Sequence, residues 1–565
     1  MNNSEAVKKL LGLLKGYSKT IAVIIGCLII STGLSLCVPL LNRKIMDEGF
    51  IGGNKGLLIE LTLILMVIYG VNSIIDITKE RKRVDISAKL QYFLSEQSFL
   101  HLMKMKISYF NETNYAELLN SINTDINKMV SISDESFFFV VTQAFNMIGG
   151  MIGLFIIDYR MSILVIIFIP IKCIAMKYFA KKQKSIMEEF IKHNQEYAKW
   201  FGDTVGGVKE VKLFNILDKK HNEFSIRQKR IIDKQKQMNM LSQWNIITDS
   251  IMVQLLSTVL YIVGGNLVFD LQLSVGSVFA FITYSSYVTG PISAILNIGY
   301  LLSGIIPSTK RYYEFMDLQE ETDSGKHEPV FGDLRLENVF FSYEFDKPIL
   351  IDINLIFPKG SKTALIGKNG SGKSTIINLL TRVYDPVDGY VLLDKKDISK
   401  ISLYKYRNTV SVVSQQIYLF NDTIRNNICL YQNVGDEVIR AACNESGLED
   451  FLNEVSLDYV VGQNGAMLSG GQKQKIALVR ALVHDKPIII FDEATSNTDA
   501  YSEHQINNLL HTRLKNKTVI IITHKTEILS EVDQIIMLRD GIVIETGKYD
   551  ELISNSDEFR NMLNI

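Results

Sequence analysis

Nine residues, Gly367-Lys368-Asn369-Gly370-Ser371-Gly372-Lys373-Ser374-Thr375, have the types and the spacing to cradle a chain of phosphates. Glycines let the backbone turn several N–H groups toward one concavity, and a helix starting there adds partial positive charge. Lys373 can hold the outer phosphates, and the Ser374 hydroxyl can ligate Mg²⁺. The spacing fits GxxxxGK[ST], a pattern that arises by accident in only about a few per cent of chains this long. The run Thr363-Ala364-Leu365-Ile366 ahead of it reads as a buried strand, and Ile376-Ile377-Asn378-Leu379-Leu380 behind it as the start of a helix. Those are the two elements such a loop must join. A second candidate is Ile488-Ile489-Ile490-Phe491-Asp492-Glu493, an apolar strand ending in two carboxylates. It would place Asp492 near Mg²⁺ and Glu493 beside an attacking water.

Between loop and strand lies Leu468-Ser469-Gly470-Gly471-Gln472, and Lys473 to Leu482 follow with helical periodicity. A Ser-Gly-Gly turn at a helix start is another phosphate-binding element. One nucleotide has no use for two such helix ends from one lobe, so the economical reading is that each copy of the chain covers a partner's nucleotide.

On these residues the chain after Leu334 resembles the nucleotide-binding domain of an ABC transporter. LSGGQ is that family's signature, and the order P-loop, Gln415, signature, IIIFDE, Ser496-Asn497-Thr498-Asp499, His524 is the family's order. The resemblance implies ATP and Mg²⁺ as cofactors. It implies that Gln415 links Mg²⁺ and the attacking water to the membrane domain, that His524 contacts the γ-phosphate, and that Tyr343 stacks on adenine. Catalysis then falls to Glu493, His524 and Gln415, and Mg²⁺ to Ser374, Gln415 and Asp492. Nucleotide binding falls to Tyr343, the P-loop from Gly367 to Thr375, and Ser469, Gly470, Gly471, Gln472 and Asp499, the last at the contact between copies. A lone Gln, His or Tyr is more often structural; order and spacing give these three their roles.

The chain has 565 residues, 60 of them basic and 61 acidic, and a net charge of −1 makes no electrostatic case for nucleic acid. Cys27, Cys37, Cys173, Cys429 and Cys443 are odd in number and lack CxxC spacing, which speaks against a disulfide framework or a zinc site.

The elements that must carry the ATPase begin with a basic, polar start, Lys8, Lys9, Lys15 and Lys19, followed by an apolar stretch from Ile21 to Leu41. The stretch exceeds a signal-peptide core and no A-x-A-like site follows, so it reads as a retained membrane span over about 20–41. Further spans cover about 57–77, 136–157, 161–181, 247–268 and 275–303, each near the length that crosses a bilayer. Basic runs such as Lys79-Glu80-Arg81-Lys82-Arg83 and Lys181-Lys182-Gln183-Lys184 lie in the long connecting stretches, which therefore face the cytoplasm with both termini. These runs read as solvated helix surface and orientation signal. The loop near Asn42 to Lys55 fits least well.

The resemblance implies that the second to fifth spans continue into the cytoplasm as helices, with coupling helices near Phe110 to Leu118 and Gly207 to Asn215. Within the spans, Tyr284, Tyr287, Asn297, Asn72, Asp76, Gln143, Asn146, Asp249 and Gln254 are candidates for a polar cavity. Each taken singly is better read as an interhelical hydrogen bond or a headgroup-level residue.

The polar stretch Glu320 to Pro329 reads as a linker. The expected architecture is a multidomain chain: an all-α, six-helix transmembrane domain with long cytoplasmic extensions over 1–325, then an α/β P-loop ATPase domain over 326–565. Two departures from the family stand out: Gln463 replaces a glutamate usual before the signature, and Asn497-Thr498 replace the commoner alanine and leucine. The expected partners are the lipid bilayer, a transported solute and a second copy of the chain, with a heterodimer partner as the alternative. ATP-driven export of an amphipathic lipid, hydrophobic drug or modified peptide is the leading reading. An importer sharing the exporter fold and a non-transporting membrane ATPase that acts as a sensor remain open.

Overall fold

The structure is a computed structural model that describes residues 1–112, 115–133, 135–321, 323, 325, 327–344, 347–493, 500–523 and 525–563. By contact it divides into Met1–Lys104 with Thr113–Gln319, and Met105–Glu112 with Glu320–Ile565.

In the first unit, six stretches of helix among the described residues are long and apolar enough to span a membrane: Asn3–Ile51, Lys55–Lys104, Leu118–Ile157, Tyr159–Gly206, Leu217–Phe269 and Val275–Leu296. The second, fourth and fifth are single helices of 50, 48 and 53 residues. At about 1.5 Å per residue they run for about 70–80 Å, more than twice the depth of a hydrocarbon core, so their polar halves continue beyond it as helix. The third is assembled from Tyr115–Val130, a 3₁₀ turn at Ser131–Ser133 and Glu135–Ile157. The short helix Val208–Leu213 joins the fourth span to the fifth.

The stretch near Asn42 to Lys55 is no open loop. The first helix runs to Lys44 and passes into a π-helical turn, Ile45–Ile51, where the Asp47 carboxylate accepts the Gly276 N–H at 2.8 Å and the Ser274 hydroxyl. Those two residues open the helix Val275–Met316, whose N-cap is Ser274.

Within the chain the sixth span is half-buried and the second is largely exposed, so the sixth is the helix the others pack around. Packing on the sixth is close because the third span is glycine-rich. A Cβ at Gly153 would stand 2.6 Å from the Tyr284 ring, and one at Gly149 2.1 Å from a Leu36 methyl. Without a hydrophobic force between helices in lipid, such small residues are what allow close van der Waals contact. Tyr284 is buried in that contact and its hydroxyl donates to the Leu36 carbonyl, so it serves packing within the chain rather than a cavity wall.

Among the described residues the second unit holds ten strands: β1 Leu334–Ser342, β2 Pro348–Phe357, β3 Lys362–Gly367, β4 Asp388–Leu393, β5 Lys396–Asp397, β6 Val410–Val413, β7 Ile488–Asp492, β8 Thr518–Ile522, β9 Gln534–Arg539 and β10 Ile542–Gly547. A small antiparallel sheet has the order β2-β1-β4-β5 and the main sheet β10-β9-β3-β8-β7-β6. In the main sheet, β9, β3, β8, β7 and β6 are parallel. β7 and β8 read as unbroken apolar runs because both faces are covered, as a parallel sheet requires. The linker is strapped onto this unit. Glu321 meets Arg407 bidentately at 2.8 Å, and Asp323 accepts the Leu403 N–H at 2.6 Å and the Ser402 hydroxyl at 2.9 Å.

Candidate functional site

Three parallel strands deliver their carboxyl ends to one place. β3 ends in the phosphate loop, β7 ends in Asp492, and β6 leads within two residues to Gln415. In open α/β sheets ligands bind at that edge, where helix N-termini and loops converge.

The loop turns at Gly370 and Gly372, both with positive φ, and Gly372 caps the helix Lys373–Leu380. A Cβ at Gly372 would meet a Leu350 methyl at 2.6 Å, so backbone conformation and space both demand glycine there. The Lys373 ammonium donates to the carbonyls of Gly367 at 2.6 Å and Lys368 at 3.1 Å, folded back over its own loop. Burial pushes its pKa down, and the carboxylates of Glu493 and Asp492 oppose that shift. The Ser371 hydroxyl is buried and finds no partner among the described residues. A cationic, N–H-rich loop with an orphaned hydroxyl suits a phosphate chain.

Asp492 has its pKa raised by burial and by the neighbouring Glu493, with Lys373 pulling the other way. Its carboxylate and the Ser374 hydroxyl are hard oxygen donors of the kind Mg²⁺ takes, alongside phosphate oxygens and water. No cluster of three His, Cys, Asp or Glu side chains suited to a metal occurs among the described residues.

Glu493 directly follows β7. Its N–H donates to the Ile522 carbonyl of β8 at 3.2 Å, and its side chain accepts the Gln415 amide at 2.6 Å. Its φ of 50° lies in the left-handed region, an expensive conformation for a side chain of this size. Gln415 and Glu493 are 78 residues apart and come together only because β6 and β7 are neighbours.

Tyr343 follows β1, with its ring 49% exposed and edge-on to Phe341 at 4.9 Å and Tyr384 at 5.1 Å. Its hydroxyl lies 3.3 Å from Thr375 Oγ1 and accepts from Asn378 at 3.2 Å, which anchors an exposed ring beside the phosphate loop's helix. Ser469 caps the signature helix Gly470–Val483 in a reciprocal box: its hydroxyl accepts the Gln472 N–H at 3.2 Å, and Gln472 Oε1 accepts the Ser469 N–H at 2.8 Å. Ser469 and Gly470 are exposed, and a Cβ at Gly470 or Gly471 would meet nothing within 4 Å. The chain's own packing does not require these two glycines; close approach by an outside group would. His524 and Asp499 lie outside the described residues, as do Ser496, Asn497 and Thr498.

Sequence reasoning counted Lys172 as the start of a basic, cytoplasm-facing stretch, Lys172 to Lys236, and gave it no role of its own. It is fully buried in the fourth span and lies 2.7 Å from Asp249 of the fifth. The signal was there, a lysine inside an apolar run, but lysines near that end of a span also serve as orientation signals. Asp249, Asn72 and Asp76 make the interhelical or local bonds expected of single polar residues: Asn72 donates to Ser35 at 3.5 Å, and Asp76 pairs with Lys79 at 2.6 Å.

Residues 21–292 match the family model described as the ABC transporter transmembrane region, and residues 350–496 that described as ABC transporter. The ATP-dependent lipid A-core flippase of Salmonella typhimurium is 32% identical over 92% of this chain and 90% of its own length. The flippase of Escherichia coli K12 is likewise 32% identical over 92% and 90%. A solved structure of a bacterial Atm1-family ABC exporter with ATP bound superimposes with a TM-score of 0.80, covering 97% of this chain and 98% of the other at 22% identity, a likeness of fold.

Proposed function

The chain belongs to the ABC transporter family, as a multi-pass protein of the cytoplasmic membrane with a C-terminal ATPase domain, and from that premise we propose that two identical copies drive export of an amphipathic solute. The observation that carries the proposal is the pairing of a phosphate loop with a capped turn whose Ser469 and Gly470 are exposed and at whose Gly470 and Gly471 an added Cβ would meet no described residue within 4 Å. In the pair, ATP held by Lys373 and Ser374 of one copy would be closed over by Ser469 and Gly471 of the other. Mg²⁺, held by Ser374 and Asp492 with Gln415 nearby, would neutralise phosphate charge. Glu493 would orient the attacking water while Gln415 holds its carboxylate, and His524 and Asp499 would complete the site. Rate enhancement would come from position and charge rather than from covalent chemistry.

The relatives named as lipid A-core flippases make a membrane lipid the favoured class of solute. Closure must favour one membrane conformation over the other by several kcal/mol for ATP to invert the populations. The test is reconstitution into liposomes with the ATPase domains outward, and assay of a fluorescent phospholipid. ATP-dependent passage from the outer leaflet to the inner one, absent in Glu493→Gln, is expected. Steady ATP turnover with no lipid movement would favour a sensor, and movement in the opposite sense an importer.

A further inference from the structure

A cavity of about 750 Å³ opens between the second and third spans, at the level where the apolar lengths of both end on the cytoplasmic side. Ile77, Arg81 and Val84 line it from the second span, at the spacing that places side chains on one helix face, and Phe138, Phe139 and Thr142 line it from the third. Its floor is core, since Phe138 packs against the buried Ile24, Leu28 and Ile86. Its apolar wall is uncovered: Ile77, Val84 and Phe139 each keep about half or more of their surface exposed.

The charged side chains around the cavity are mostly used up within the chain. Lys79 pairs with Asp76 at 2.6 Å. Arg83 donates through Nε to Glu80 at 2.9 Å and to the Ser133 carbonyl at 3.3 Å. Arg81 is exposed and makes no ion pair among the described residues. The lining thus holds Asp76 and Glu80 against Lys79, Arg81 and Arg83, a net charge of +1, and the charge left over belongs to Arg81. The basic run from Lys79 to Arg83 can orient the helix by charge alone, but orientation needs neither a cavity nor an apolar wall. One unspent guanidinium above an apolar wall, at headgroup depth, matches a molecule with a single negative charge and acyl chains. A guanidinium suits a phosphodiester because its N–H groups fork onto two oxygens.

We propose that this cavity holds the headgroup and upper acyl chains of a resident anionic phospholipid of the inner leaflet, with its phosphodiester on Arg81. Basic pockets between spans on the cytoplasmic side are where anionic headgroups bind. The lipid bridges the second and third spans, whichever solute is carried and in whichever direction.

Native mass spectrometry of the full chain in dodecyl maltoside tests it, with dioleoylphosphatidylglycerol and dioleoylphosphatidylcholine as probes. The two share chains and phosphodiester, but only the first keeps a net negative charge. For the first lipid bound, wild type is expected to prefer phosphatidylglycerol by about fivefold, the worth of one basic side chain at an anionic headgroup. Arg81→Gln should bring the two affinities within about twofold. Lys82→Gln removes the same charge from the next position, outside the lining, and should keep the preference. Both positions are exposed, so neither change threatens the fold. Glycerophosphoglycerol, the headgroup without its chains, should fail to displace the bound lipid. Equal affinities in wild type, a preference that survives Arg81→Gln, or the same loss in both variants would overturn the site and leave the run as an orientation signal. Displacement by the chain-free headgroup would overturn it in favour of a soluble anion.

Discussion

Glu493 shows how a single side chain can be aimed by its surroundings. Its left-handed backbone is held by a bond to β8, and its carboxylate by Gln415 at the end of β6. Replacing Glu493→Gln keeps the shape and removes the charge, so nucleotide affinity should change little while steady hydrolysis falls by at least about 100-fold. Binding of a fluorescent ATP analogue and phosphate release measure the two, and full turnover by the variant would remove Glu493 from its role. At the far end of the signature helix, burial first and Lys486 next push the pKa of His484 below its ordinary 6.5. Below about pH 6.5 the unfolded chain therefore takes up a proton that the folded one refuses. This part of the stability is full above that pH and lost as pH falls toward the folded pKa. Unfolding temperature of the ATPase transition should drop less steeply between about pH 7 and pH 5.5 in His484→Phe than in wild type. Parallel slopes would show that His484 does not titrate in this way.

At the scale of elements, what the sequence revealed depended on whether a feature is contiguous. The phosphate loop and LSGGQ are local patterns, and the structure finds a strand and a helix on either side of the first and a capped helix start at the second. The connecting stretches showed helical character in the sequence, but that they continue the spans as single helices was implied by the family resemblance. The Gln415–Glu493 contact needed the strand order, which no local pattern contains. The Asp47 anchor hid in an apparent loop, since a π-helical turn has no clear sequence signal. Tyr284 makes the interhelical bond that the sequence favoured for each such residue taken singly, but helical spacing alone cannot say that its face meets Gly150 and Gly153. That contact can be probed by overpacking. Gly153→Val should cost about 1–3 kcal/mol and lower the melting temperature of the membrane domain. An unchanged melting temperature would mean that the third and sixth spans do not pack this closely.

At the scale of the whole molecule, the ATPase unit is complete in fold but offers its two phosphate-binding turns differently. One lies at the end of β3 beside Asp492, and the other, Ser469-Gly470-Gly471, has its first two residues exposed and open space at both glycines among the described residues. A chain that works alone would have no use for the second turn, whereas two chains arranged head to tail would use both twice. In the proposed pair the same requirement would tie hydrolysis to movement, because closing two composite sites would draw the membrane domains of both copies along. Specific ATPase activity should therefore be measured in nanodiscs that hold one chain and in nanodiscs that hold two. Activity per chain is expected to be nearly absent in the first and full in the second, and equal activity per chain in both would contradict a site shared between copies.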